Sequence, residues 1–163
     1  MPVSKFVGAR IKRREDPSLM RGLGQYVDDI TFPEMLHVAI LRTPHAHARI
    51  KSIDTAAARR HPGVVAVFTG AEVRDQIEPL PTTAENPSLR IPNHYFVAVD
   101  KVCCVGEGVA AVVAEDRYTA RDALDLIQVD YEPLPVVTDP ELALTSTSPV
   151  IHSQWPDNLA FHW

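Results

Sequence analysis

The sequence predicts an α+β domain, a mixed sheet with two to three helices. Three observations point there. Apolar stretches of strand length occur at 35–42, 63–70 and 109–115, and helix-capping aspartates stand at 16, 54 and 116. One segment, 116–127, repeats its apolar residues at helical spacing. The composition is globular, with 45% hydrophobic and 23% charged residues, which argues against general disorder. A chain of 163 residues buries roughly 70% of its unfolded surface on folding, so it needs neither disulfides nor metal to hold together.

Taken in order, Asp16-Pro17 is a helix start, with Asp16 as N-cap, Pro17 at the first helical position and Gly22 ending the turn. MLHVAILR (35–42) reads as a strand after the Phe32-Pro33 turn, and the alternating RIKSID (49–54) as a second strand. Asp54 is placed to cap a short helix, TAAARR, that ends near His61-Pro62-Gly63. GVVAVFTG (63–70) reads as a buried strand rich in valine. Residues 76–93 then break the pattern with four prolines in 18 residues and no apolar period. A loop of that length inside a compact domain is usually functional or mobile.

Order is expected to return with YFVAVDKVCCV (95–105), a turn at Gly106-Glu107-Gly108, and the strand VAAVVAE (109–115). The helix DRYTARDALDLI follows, with Asp116 as N-cap. Its apolar face is Ala120, Ala123, Leu124 and Ile127, and Arg121 and Asp125 are spaced for a weak ion pair. IQVDYEPL (127–134) is a strand that Glu132-Pro133 terminates, and DPELAL (139–144) starts one more helical turn. The last nine residues, WPDNLAFHW, hold both tryptophans. Large aromatics left in water cost about 25 cal/mol per Å² of apolar area. They are expected either to pack back onto this domain or to meet chain that lies beyond Trp163.

Net charge is −5, unevenly spread: residues 1–60 carry 11 Lys/Arg against 6 Asp/Glu, and residues 61–163 carry 5 against 15. The basic cluster Arg10, Lys12, Arg13 and Arg14 is followed at once by Glu15 and Asp16, with no interleaved aromatics to stack on bases. It reads as a solvated or docking segment rather than a nucleic-acid arm. No apolar run reaches the 18 or so residues of a membrane span, and MPVSKFVGARIKRRED lacks a secretory apolar region. The expected location is the cytoplasm. The adjacent Cys103 and Cys104 read as small apolar residues filling a strand, since strand neighbours face opposite sides and cannot readily bridge.

Chemistry-bearing constellations are thin. Gly106-Glu107-Gly108-Val109-Ala110-Ala111 matches a dinucleotide fingerprint on paper, with Asp130 and Glu132 downstream. That site needs a helix to open at the glycines, whereas VAAVVAE follows and the helix cap comes only at Asp116. His45 and His47 would share a face of an extended segment, with His37 and His61 conceivable partners, but no third ligand stands at metal spacing. Asp28-Asp29 reads as a surface turn, and there is no GxSxG elbow. No catalytic, cofactor-binding or metal-ligating residue emerges.

The order of motifs does carry a resemblance. RREDPSLMRGLGQYVDDI (13–30), LHVAILRTPHAHARIKSID (36–54), HPGVVAVFTGAEV (61–73) and DKVCCVGEGVAAVVAEDRYTARDALDLIQVDYEPLPVVTDPELAL (100–144) occur in the same order in one family. They resemble the N-terminal hammerhead-type α/β domain of molybdenum hydroxylase large subunits, a family that includes carbon monoxide dehydrogenases, aldehyde oxidases and xanthine dehydrogenases. The similarity covers residues 7–163. One departure is Gly108, where the family commonly has proline or a larger residue in a VG-x-P-VA turn; glycine relaxes the φ restriction there.

The resemblance implies an N-terminal arm at 1–34, the hammerhead domain at 35–144 with the Pro-rich loop 76–93 inside it, and a connector at 145–163. That connector would lead toward molybdopterin-binding domains downstream. It implies a parent enzyme that hydroxylates an aldehyde, purine or N-heterocycle carbon, or oxidises carbon monoxide. The parent would use molybdopterin, in the cytosine dinucleotide form, with iron–sulfur clusters and FAD on partner subunits. This segment would then be a structural and substrate-access domain without catalytic residues. Phe68, Tyr95 and Phe96, flanking the Pro-rich loop, are the candidate wall residues. Trp155, Phe161 and Trp163 are the candidate interdomain contacts. The alternative is a free-standing, non-catalytic binding or assembly module with the same fold.

Overall fold

The computed structural model describes residues 8–82 and 86–162. The chain divides into two compact units, Met1–Met35 and Leu36–Trp163. In the first, α1 spans Asp16–Leu19. Its N-cap is Glu15 and not Asp16, because Glu15 is already helical while the Asp16 carboxylate turns back to accept the Arg13 amide at 3.1 Å. A 3-10 turn, Val27–Asp29, follows; Asp29 there accepts the Tyr26 amide at 2.9 Å.

The second unit holds six strands: β1 (His37–Arg42), β2 (Ala48–Asp54), β3 (Val64–Thr69), β4 (Lys101–Val102), β5 (Gly108–Ala114) and β6 (Gln128–Pro133). The expected mixed sheet resolves into two three-stranded sheets, ordered β1-β5-β3 and β4-β2-β6. Every pairing in them is antiparallel. Between the strands lie α2 (Ala56–Arg59), α3 (Gly70–Val73) and α4 (Arg117–Leu124), and α5 (Pro140–Ala143) follows β6. Only α4 exceeds a single turn.

α4 forms where the pattern places it. Asp116 accepts the amides of Tyr118 and Thr119 at 2.8 and 2.9 Å, and Ala120 and Ala123 are fully buried. The helix stops at Leu124, so Ile127 reaches the same core from the turn beyond it, and the Arg121–Asp125 ion pair is not among those formed by the described residues. Opposite α4, Ala110 and Val112 of β5 and Val67 of β3 complete that core. A second core joins Ala48, Ala98, Val102 and Val109, and the partly buried Leu41 and Val129 pack against both.

Two strand expectations are corrected. β3 is an edge strand, not one buried on both faces: Val65 lies at a register shift and is exposed, as is Phe68. VCCV does not continue as strand beyond Val102. The Cys103 amide is taken at 2.7 Å by the Glu107 carboxylate, which satisfies it without a ladder partner, and the chain turns through Cys104 and Val105. Gly106 has φ +86°, a left-handed conformation that glycine adopts without strain; its amide donates to Thr43 O at 2.9 Å. α3 was not legible as a helix, although Thr69 and Glu72 form its capping box: Glu72 accepts both the Thr69 amide and hydroxyl at 2.9 Å.

Candidate functional site

A cavity of about 780 Å³ opens beside the β4-β2-β6 sheet. The start of β2, the segment 92–101, the Cys103–Glu107 turn and residues 149–154 surround it. Its size falls in the range of small-molecule sites.

His47, just before β2, is the most buried polar group in its wall, at 5% exposure. Its Nδ1 lies 2.7 Å from the Pro135 carbonyl. A carbonyl only accepts, so Nδ1 carries the proton and Nε2 presents a lone pair when the ring is neutral. That Nε2 is buried without a hydrogen-bond partner. Glu107 is the buried carboxylate: its side chain is 9% exposed, and Oε1 stands 3.7 Å from His94 Nδ1 while Oε2 holds the Cys103 amide. Lys101 Nζ donates to the Ile151 carbonyl.

His152 sits among these groups. Burial holds its imidazole below the usual histidine value, and the positive charge of Lys101 adds to that. Glu107 opposes the shift, and His47 and His94 reinforce it. The thiols of Cys103 and Cys104 are both pushed up, chiefly by burial; the Glu107 charge adds in each case, and Lys101 opposes for Cys103. Such thiols stay protonated near neutrality and are poor nucleophiles.

Of the three wall residues expected from the sequence, Tyr95 lines this cavity; Phe68 and Phe96 do not. Phe68 pairs with Ala111 on the sheet face turned away from α4, at 42% exposure, and Phe96 is 50% exposed. Trp155 is half-buried against the His152 ring, edge-on with centroids 5.8 Å apart. It lines a smaller apolar cavity of about 440 Å³ with Ile151 and Leu159. The tail packs along residues 88–90: Arg90 pairs with Asp157, the Arg90 amide donates to Ala160 O at 2.8 Å, and the Ser88 hydroxyl reaches His162 O at 3.0 Å. Phe161 remains exposed. Trp163 lies outside the described residues.

His45 and His47 diverge. The His45 ring stacks at a tilt on Tyr131, 4.7 Å between centroids, while His61 turns to the Pro62 carbonyl. Among the described residues no group of three or more His, Cys, Asp or Glu could hold a metal ion, and no helix is long and apolar enough to cross a membrane. The dinucleotide-fingerprint reading of the Gly106–Gly108 turn fails on geometry. Gly108 opens β5, not a helix, and a Cβ built on it would sit 2.9 Å from the Phe96 carbonyl. Gly108 serves a close backbone approach and Gly106 a left-handed turn, and the amides of Gly106 and Glu107 are already bonded to Thr43 O and Cys104 O.

The cavity's polar wall escaped the sequence reading. His47, Lys101, Glu107 and His152 are far apart in the chain and share no period or spacing. The register of β2 with β4 sets His47 beside Lys101, the Lys101 bond to the Ile151 carbonyl brings His152 to them, the Cys103 amide holds Glu107, and the one local signal is Glu107 between two glycines.

A family model for the aldehyde oxidase and xanthine dehydrogenase a/b hammerhead domain matches residues 21–135. The chain is 42% identical over 154 residues to the carbon monoxide dehydrogenase large chain of Afipia carboxidovorans, which covers 94% of this chain and 18% of that one. It is 40% identical to the nicotine 6-hydroxylase large subunit of Paenarthrobacter nicotinovorans, over 97% of this chain and 19% of the relative. Among solved structures, quinoline 2-oxidoreductase from Pseudomonas putida 86 superposes with a TM-score of 0.85 at 41% identity, over 92% of this chain and 19% of that one. The aldehyde oxidoreductase of Desulfovibrio desulfuricans superposes with a TM-score of 0.79 at 27% identity, over 90% of this chain and 17% of that one. The chain thus spans less than a fifth of the length of these relatives.

Proposed function

Because the chain belongs to the aldehyde oxidase and xanthine dehydrogenase hammerhead-domain family, we propose that it is the structural and substrate-access domain of a molybdenum hydroxylase large subunit. On this reading the parent binds molybdopterin in its cytosine dinucleotide form in domains beyond this one. Iron–sulfur and FAD subunits complete the complex, which works in the cytoplasm. The bound molybdenum centre would supply the oxidising chemistry, hydroxylation of an aldehyde, purine or N-heterocycle carbon or oxidation of carbon monoxide. No step of it is assigned to the residues of this chain.

The part of this chain is to wall the approach. Residues 35–144 would be the hammerhead domain, with 1–34 as an arm before it and 145–163 as the connector. Phe68, Tyr95 and Phe96, with the Pro-rich segment 76–93, would exclude water and limit substrate size. Trp155, Phe161 and Trp163 would meet the following domain. The observation that carries this is the exposed apolar set on the α4-free side of β1-β5-β3: Val38 at 59% and Phe68 at 42% exposure, with Phe96 at 50% nearby in sequence to the buried Val97. Apolar groups grouped at a surface mark a place that something else covers.

The test is made in the full-length enzyme, purified from its host with its molybdenum content measured. Residues 79–91 are trimmed to a short Gly-Ser link and two substrates of different size are compared. The expected result is a changed KM ratio between them with molybdenum content retained. Unchanged KM for both removes the access role. A native chain of this size carrying no molybdenum favours the free-standing module instead.

A further inference from the structure

We propose that the cavity walled by His47, Lys101 and His152 binds a small molecule through an oxyanion group of phosphate or sulfate type. The chain as a whole is acidic, at −5, yet this cavity is lined by the permanent cations Arg49, Arg74 and Lys101 against the carboxylates Asp100 and Glu107. The carboxylates are largely spent. Asp100 faces Arg74 at 3.7 Å, and Glu107 is held between the Cys103 amide and His94. Arg49 is likewise paired outward, with Glu132 at 3.6 Å.

Lys101 is the cation left over. Its ammonium has the Ile151 carbonyl as partner and forms no ion pair among the described residues. A partly buried ammonium retains most of its charge demand when met only by a neutral carbonyl. His47 adds a second unmet demand, because its Nε2 is buried and unpartnered. With Nδ1–H fixed on Pro135, protonation of the ring creates a donor at Nε2 and nowhere else. His152, disfavoured as a cation by burial and by Lys101, gains from an anion placed between them. One oxyanion answers these demands. Its oxygens would accept from Lys101 Nζ and from a protonated His152, its charge would favour the proton on the buried His47 ring beside them, and the wide remainder of the cavity would take the rest of the molecule.

The probe is sulfate, dianionic throughout the pH range used, titrated into the 163-residue chain with sodium chloride balancing ionic strength. The ring nitrogens of the histidines are followed by two-dimensional NMR. Binding is expected to shift His47, His94 and His152 along one saturable curve while His37 and His61, which do not line the cavity, stay in place. Anion binding that favours protonated rings must tighten as pH falls, about tenfold between pH 8 and pH 6 for one proton taken up over part of that range. Lys101→Gln should weaken it about tenfold, the worth of one charge-assisted hydrogen bond. His152→Gln, which releases no backbone carbonyl, should weaken it too and keeps the test valid if the lysine variant misfolds.

Shifts that never saturate and spread over all seven histidines would overturn the proposal, as would unchanged affinity in both variants. The same titration on the full-length large subunit is the last arm. A retained site supports a small-molecule ligand. Loss of the site there means another part of that subunit fills the cavity, and the proposal falls. Neither result depends on whether trimming 79–91 alters substrate selection, so the two readings fail separately.

Discussion

The two sheets of the second unit are built by different means. The β1-β5-β3 sheet is backed by α4 through a dense layer of small residues, with Val67, Ala110, Val112 and Ala123 all at 1% exposure or less. The β4-β2-β6 sheet has a two-residue edge strand, a thinner core, and a cavity of about 780 Å³ against it. Small apolar side chains at strand and helix periods suffice to close the first. The second is closed by loops, whose polar groups find partners one at a time: Leu80 N on His94 O, Ala98 N on Gly108 O, Cys103 N on Glu107. Regular packing gives stability, and irregular packing leaves room for a ligand.

The largest effect is expected where the two constructions meet. Gly70, at the end of β3, lies under the backbone of residues 98 and 99: a Cβ there would stand 2.2 Å from the Ala98 carbonyl oxygen. Ala98 belongs to the core of the cavity side. Gly70→Ala must push the two layers apart, at a cost of about 3 kcal/mol. Because Leu41 and Val129 pack into both cores, both sheets should lose stability together. Urea unfolding followed through the backbone amide NMR signals of β5 and of β6 should give one shared midpoint, lowered. Two separated midpoints would show that the layers are independent.

A middle-sized effect belongs to the cavity side alone. Glu107→Gln keeps an acceptor for the Cys103 amide but removes the buried negative charge, and should cost about 1 to 2 kcal/mol as a weakened charge-assisted bond. Its sharper reading is at His152. Glu107 is the group that raises the proton affinity of that ring against burial and Lys101. Its loss should move the His152 titration further down. A His152 titration that does not move would mean these groups do not share one space.

The same contrast explains what the sequence disclosed. α4, β5, the cap at Asp116, the helical turn started at 139–144 and the turn at Gly106 were legible because each rests on neighbours within a few residues. Asp139 accepts the amides of Glu141 and Leu142, which its place before Pro140 already suggests. β4 shrank to Lys101–Val102 because Glu107 competes for the next amide, a tertiary choice that no apolar run reveals. Thr69 and Glu72 were present at capping spacing, yet the valines before them masked the helix they start. The exposure of Phe68 followed from its sheet having a free face, which depends on strand order. His47 was seen only as half of a pair with His45, because its tie to Pro135 spans 88 residues.

The smallest effect sharpens the comparison with two acids, one in each construction. The Asp116 carboxyl is held below the usual carboxylate value first by the Thr119 hydroxyl and then by the Thr119 amide. Slight burial opposes this, and Tyr118 and His37 assist. Asp157, on the tail, is lowered first by the Leu159 amide and then by Arg90. A folded value below the unfolded one means the stabilisation is complete above the unfolded value, near pH 4 for aspartate, and is lost as pH falls through the folded value. Asp116→Asn should therefore lower Tm slightly at pH 6, and the gap to the parent chain should close as both approach pH 2. Asp157→Asn should leave Tm nearly unchanged at every pH, because the tail adds little to either core, while altering Trp155 fluorescence as Arg90 is released. If Asp157→Asn lowers Tm as much as Asp116→Asn, the loop-built side contributes to global stability and the division between the two constructions does not hold.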